Sequence, residues 1–137
     1  LFRSYVASAL RKREVLVTPE AVARMAQSRL AGCPHEECWL ALVDQRNRLT
    51  AWECLRRGGI AEVSMQPREV FEAALLRKAS GIIMVHNHPG GNPAPSEADK
   101  AFTAELQKLA PLLGLRFLDH VIVTEGDCYS ITQMQTI

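Results

Sequence analysis

The sequence predicts an α/β domain with a mixed sheet flanked by helices. Three observations carry that reading. Apolar runs of strand length, such as residues 38–43 and 81–85, alternate with amphipathic stretches at helical spacing. Some strands are joined by tight turns, which makes antiparallel hairpins, and others by a helix, which suits a crossover. The 137 residues carry no internal repeat or low-complexity segment, and their number is that of one domain.

Each element has its own signal. Residues 2–13 read as a short amphipathic helix closed by Arg11-Lys12-Arg13, a basic cluster suited to a helix C-terminus. Thr18-Pro19-Glu20 starts a second helix with a hydroxyl cap, a proline at the first position and an acid in the first turn. Val22, Met25, Ala26, Arg29 and Leu30 follow at helical spacing, and Gly32 and Pro34 end it. Residues 1–30 thus read as a helical extension packed on a domain spanning 31–137. Residues 38–43 are apolar throughout, as in a strand covered on both faces. Asp44-Gln45-Arg46-Asn47 is a turn, and residues 48–57 return as a hairpin partner.

Gly58-Gly59 interrupts that strand, and residues 60–64 form a short third one. Pro67 opens a helix with Val70, Phe71, Ala74, Leu75 and Lys78 on one side. Residues 81–87 are a buried strand, followed by a loop rich in proline and glycine. Residues 96–113 make the strongest helix, with Phe102, Leu106, Leu109 and Leu113 as its apolar stripe and Gly114 as its stop. A strand over 115–124, a turn at Glu125-Gly126-Asp127 and a strand over 128–131 complete the domain.

Composition excludes several functions. Sixteen basic and fifteen acidic residues leave a net charge of +1, which gives no drive towards nucleic acid or an anionic membrane. The longest apolar runs are four to six residues, too short to span a bilayer, and no signal peptide is visible. Leu1 in place of an initiator methionine reads as the start of a fragment or a trimmed chain, which leaves open whether a domain precedes it. Cys33, Cys38, Cys54 and Cys128 match no disulfide framework and read as reduced thiols of a cytoplasmic protein. A metal pocket at Cys33, His35, Glu36, Glu37 and Cys38 is disfavoured, because no second CxxC pair accompanies it.

The chemistry sits in the string HNHPGGNPAPSEAD. His86 and His88, two apart at the end of a strand, share one face and can present both rings to one ion. Ten residues separate His88 from Asp99, which lies in the first turn of a helix capped by Ser96. Two histidines and an aspartate leave a fourth position open, the count of a catalytic zinc site. Structural roles compete: Ser96 is an excellent N-cap, and Asp99 stands where a capping-box acid would, though it is short for that task.

HxHP followed by SxxD resembles the JAMM (MPN+) metalloprotease signature. The longer text is similar to the RadC-type branch of that superfamily, formerly called DNA repair proteins. The similar segments are Gln66-Pro67-Arg68-Glu69, Pro95-Ser96-Glu97-Ala98-Asp99, Leu118-Asp119-His120-Val121-Ile122-Val123, and Leu42-Val43-Asp44 with Asn47-Arg48-Leu49. Together they run from about Thr18 to Ile131. The resemblance implies a cytidine-deaminase-like, three-layer α/β/α fold and a zinc ion held by His86, His88, Asp99 and a water. It also implies a glutamate general base on the first strand. Glu36 and Glu37 both offer themselves, and the family spacing of eight residues before Asp44 selects Glu36, leaving Glu37 to face away. Gly90 stands where the family commonly has serine, and no helix-hairpin-helix segment precedes Leu1.

The activity so implied is hydrolysis of a peptide or isopeptide amide in a protein or peptide substrate. Glu36 acts as the base and Ser96 as a second donor to the oxyanion. Two rivals stand beside it: a metal-containing binding or scaffold module, and an accessory protein in DNA metabolism. His-Asn-His is not a dispersed HNH nuclease motif, and the H-x-E with P-C-x-x-C pattern of zinc deaminases is absent. Asp119-His120 reads as a buried hydrogen-bonded pair bracing the sheet, or as support for a ligand. Arg56-Arg57 reads as an exposed strand end, Glu69 as a helix-dipole partner, and Trp39 and Trp52 as core or edge packing.

Overall fold

A computed structural model describes residues 14–58 and 65–137. The expected helix over 2–13 and strand over 60–64 lie outside the described residues. The described residues hold three α-helices, α1 (Pro19–Leu30), α2 (Pro67–Leu76) and α3 (Glu97–Leu109), with strands β1 (Glu37–Val43), β2 (Leu49–Arg57), β3 (Gly81–Asn87), β4 (Arg116–Val123), β5 (Cys128–Ser130) and β6 (Gln135–Thr136). The strands form one sheet in the order β2-β1-β3-β4-β5-β6. Only β3 and β4 pair in parallel, across the α3 crossover, so the sheet is mixed as expected.

Local chemistry explains the element ends. Thr18 caps α1 by accepting from the Ala21 amide. Asp44 Oδ1 accepts from the Arg46 and Arg48 amides in the β1–β2 turn, where Asn47 takes φ 59°. The third helix is shorter than its apolar stripe predicts. Pro111 has no N–H to continue the α-ladder, so the chain tightens into a 3-10 turn over Ala110–Leu113 and stops at Gly114, φ 72°. Leu113 therefore leaves the stripe and is exposed, while Thr103, Leu106 and Ala110 are buried. The short strand β6 has no hydrophobic period to announce it.

Pleat alternation divides the core. Ile83, Val85, Val121 and Val123 pack under α1 with Leu16, Met25, Ala26 and Leu30. On the other face Leu40, Leu42, Ile82 and Met84 pack under α2 and α3 with Val70, Phe71, Ala74 and Leu106. This is the three-layer α/β/α arrangement, with both faces of the central strands dry. At the sheet edge Trp39 and Trp52 stack at 5.0 Å, with Arg57 over the first ring and Arg29 over the second. Arg56 is not a free strand end, since it pairs with Glu69, whose carboxylate also accepts from the Gln66 amide at the start of α2. No helix among the described residues is long and apolar enough to cross a membrane.

Candidate metal centre

Strand β3 delivers the two histidines. His86 pairs with Cys38 on β1 and Ile122 on β4, so its ring is walled on both sides and buried. His88 lies just past the strand, with its amide bonded to the Val123 carbonyl. Both rings face the α2–α3 side. Their Nε2 atoms are 3.0 Å apart. Two nitrogens held about 2.0–2.1 Å from one tetrahedral zinc would stand about 3.3 Å apart, close to this spacing.

The proline-rich loop returns the chain to the rings. The Gly91 amide bonds back to the His88 carbonyl, and φ 88° at Gly91 makes the bend one that a side chain would strain. The Asn92 carbonyl then lies 2.8 Å from His88 Nδ1. A carbonyl only accepts, so Nδ1 carries a proton, which leaves Nε2 as the nitrogen that can offer a lone pair.

Helix α3 brings in the aspartate. Asp99 Oδ2 is 3.7 Å from His86 Nε2 and 4.0 Å from His88 Nε2. The same oxygen accepts from the Ser96 amide at 2.9 Å, and Ser96 Oγ accepts from the Asp99 amide at 3.0 Å. Asp99 thus reaches far enough to complete a capping box, contrary to the expectation that it is too short. Capping and facing the histidines are simultaneous. Ser96 is exposed and serves as the N-cap, with its hydroxyl proton left to donate.

Glu36 completes the convergence. Its carboxylate and one nitrogen from each of His86 and His88 lie within 4.8 Å of one another. The pocket suggested by Cys33, His35 and Cys38 does not form. Glu37 accepts from the Trp39 indole at 2.8 Å on the opposite side of the strand, away from the histidines. These residues can hold a metal ion. With His86 in the matching tautomer, both Nε2 lone pairs point at each other at 3.0 Å, a repulsive contact that a cation between them removes.

Two residues of the site escape sequence reading. Asn87, between the histidines but on the other side of the strand, is buried. Its Oδ1 accepts from the Glu37 amide at 2.7 Å, and its Nδ2 donates to the His35 carbonyl at 2.8 Å and the Cys33 carbonyl at 3.3 Å. It ties down the segment that carries Glu36. Thr103, one turn after Asp99, donates to the Asp99 carbonyl at 2.8 Å and lies 2.7 Å from His120 Nδ1. A buried threonine four residues beyond the aspartate is the sequence signal for it.

His120 and Asp119 do not form the expected pair of side chains. Adjacent strand residues point to opposite faces, and Asp119 accepts from Ser130 Oγ at 2.6 Å and Thr132 Oγ1 at 2.7 Å. His120 instead reaches His86, Nε2 to Nδ1, at 2.7 Å. Burial pushes the His120 ring well below its ordinary value of 6.5, reinforced by the neighbouring histidines. Burial likewise pushes His86 down, opposed by the Asp99 carboxylate. Both rings are neutral at pH 7.

Comparison with known proteins agrees with this architecture. Residues 16–136 match the model of the RadC-like JAB domain. A "UPF0758 protein" of Albidiferax ferrireducens is 41% identical over 133 residues, covering 97% of this chain and 57% of its own length. Relatives of the same name from Acidovorax sp. and Delftia acidovorans are 42% and 43% identical, covering 97% and 96% of this chain. The chain spans a little under three-fifths of the length of these curated relatives. A match over nearly the whole chain, on the fold and histidine site described above, shows that it belongs to the RadC-like JAB domain family.

Proposed function

We propose that this domain is a zinc-dependent hydrolase of amide bonds, peptide or isopeptide, acting on a protein or peptide substrate. The observation that carries the reading is the convergence of Glu36, His86 and His88 within 4.8 Å, with Asp99 beside both rings. His86, His88 and Asp99 would hold the ion. Bound zinc supplies Lewis acidity and lowers the pKa of water in such sites to about 7. Glu36 accepts the proton of the attacking water and passes it to the amine nitrogen as the C–N bond breaks. Ser96 donates its hydroxyl proton to the carbonyl oxygen as negative charge grows there. The His88 and Asp99 side chains, 22% and 24% exposed, leave the substrate a way in. Four free cysteines favour a reducing compartment such as the cytoplasm.

The test joins metal analysis with cleavage of peptide and isopeptide libraries, with and without a chelator. Zinc-dependent cleavage that is lost in Glu36→Gln, with the metal retained, supports the reading. Equal cleavage by Glu36→Gln overturns the base assignment, and loss of zinc from that variant makes Glu36 a ligand instead. Bound zinc without cleavage of any library points to a metal-containing binding module.

A further inference from the structure

We propose that Asn87 is a positioning residue that holds the general base Glu36 against the metal site, a role that rests on the hydrolase reading above. Strand alternation puts Asn87 on the side of β3 opposite the two rings, in line with Ile83 and Val85. Val85 on its own strand and Val123 across the β4 pairing are buried hydrocarbon. A carboxamide 2% exposed among them is costly unless its polar atoms are bonded.

Its side-chain bonds to described residues all go to one segment. Asn87 Oδ1 accepts from the Glu37 amide at 2.7 Å, and Nδ2 donates to the His35 carbonyl at 2.8 Å and to the Cys33 carbonyl at 3.3 Å. These partners fix the orientation of the carboxamide, since an N–H needs its oxygen and two carbonyls need its nitrogen. From the other side, the Glu36 carbonyl accepts from the Gly58 amide at 2.7 Å. The peptide group between Glu36 and Glu37 is therefore held at both polar atoms. Glu37 turns its side chain to the Trp39 indole, and the Glu36 carboxylate is left to meet His86 and His88.

The set of bonds is one that asparagine supplies: an acceptor and two donors on one short planar group. Aspartate keeps the acceptor but sets an oxygen against the two carbonyls, and an apolar side chain leaves three backbone groups without partners. Asn87 also stands between His86 and His88 in the chain. The strand that sets both rings on one face thus sets the anchor of the base on the other, one residue away. Misplacing a catalytic group by about 1 Å can cost about 100-fold in rate. The Asn87 side chain makes no bond to either ring, so holding the metal does not need it.

Asn87→Ala tests this through three readouts. On the library peptide that the wild type cleaves fastest, kcat falls about 100-fold with KM little changed. In a Glu36→Gln background the same substitution lowers the residual rate no further, because the two residues act as one unit. Zinc affinity, measured by competition with a chromophoric chelator, changes by less than the factor of about 10 that marks a partner of a metal ligand. In the metal-free protein, hydrogen exchange of the Glu37 amide is slow in the wild type and about tenfold or more faster in the variant, while Ile83 and Val85 keep their protection. A merely structural role would slow cleavage equally in both backgrounds and loosen β3 as well. Asn87→Asp, close to the native shape, gives the same loss of kcat with zinc retained, and serves if the alanine variant does not fold. An unchanged kcat in the folded variants, a further loss in the Glu36→Gln background or a fall in zinc affinity beyond tenfold overturns the proposal. So does rapid exchange of the Glu37 amide in the wild type, which needs no variant. A wild type that cleaves no peptide overturns the hydrolase reading instead, while the exchange comparison still decides whether Asn87 holds the segment.

Discussion

On the α1 face of the sheet, Ile83, Val85, Val121 and Val123 meet Met25, Ala26 and Leu30 in a hydrocarbon layer. On the α2–α3 face the same strands begin alike, with Ile82 and Met84 under Leu106, but their ends carry His86 and His120 and meet Thr103 on α3. The comparison separates two jobs. One face contributes hydrophobic burial along its length, and the other gives up its last layer to a polar chain that is tolerable because each bond in it is satisfied.

The comparison can be broken most severely at His88. His88→Ala should reduce bound zinc to below about a tenth of the wild-type content by elemental analysis, because a site with two protein ligands is incomplete. The metal-free fold should change little, since the His88 side chain is 22% exposed. Ile83→Ala on the opposite face should do the reverse. Ile83 is fully buried, and its truncation should cost about 2–5 kcal/mol in denaturant unfolding while zinc content per folded molecule holds. If the Ile83 variant lost its zinc with the fold intact, the two faces would not be separable in this way.

Acid should find the polar face next. His86 and His120 are neutral when folded and bind protons when unfolded, so the unfolded state holds more protons below the ordinary histidine value of 6.5. Stability of the metal-free protein is thus fully present above that pH. It declines as pH falls from 6.5 towards about 4 for His86, with uptake of about one proton per histidine on unfolding. Denaturant melts between pH 8 and 4 check the sign, and a flat profile would mean that these rings are not buried neutral. The smallest effect sharpens the comparison by showing what the faces share. Cys128 lies on the α1 face and Cys38 on the other, and burial pushes both thiols up to about 12. Both should stay unmodified by iodoacetamide at pH 8 in the folded protein, and mass mapping would detect a labelled Cys38 or Cys128.

Much of this was legible in the residues because the signals are local. Thr18-Pro19-Glu20 announces α1, Asp44 to Asn47 announces the hairpin, and HNHP with SxxD places two rings and a carboxylate within one fourteen-residue stretch. Glu36 needed the family spacing, because its apolar strand gives no clear alternation. The rest depended on contacts between distant segments. His120 lies 34 residues from His86, and no spacing rule connects them. Asp119 and His120 look like a pair in the text and part company because a strand sends neighbours to opposite faces. Pro111 is visible in the sequence, and the error there lay in letting the apolar stripe outweigh a missing N–H.

The bond from Asn87 to the Glu37 amide spans fifty residues, whereas His86, His88 and Asp99 are close neighbours in the chain. On the proposed reading, the ligands travel together and the base is held by a separate, longer tether. A molecule whose 33–36 segment has come loose keeps its three ligands and lacks its base. Zinc stoichiometry will then overcount the working molecules in a preparation, and a titration of active sites will come out lower than a titration of metal.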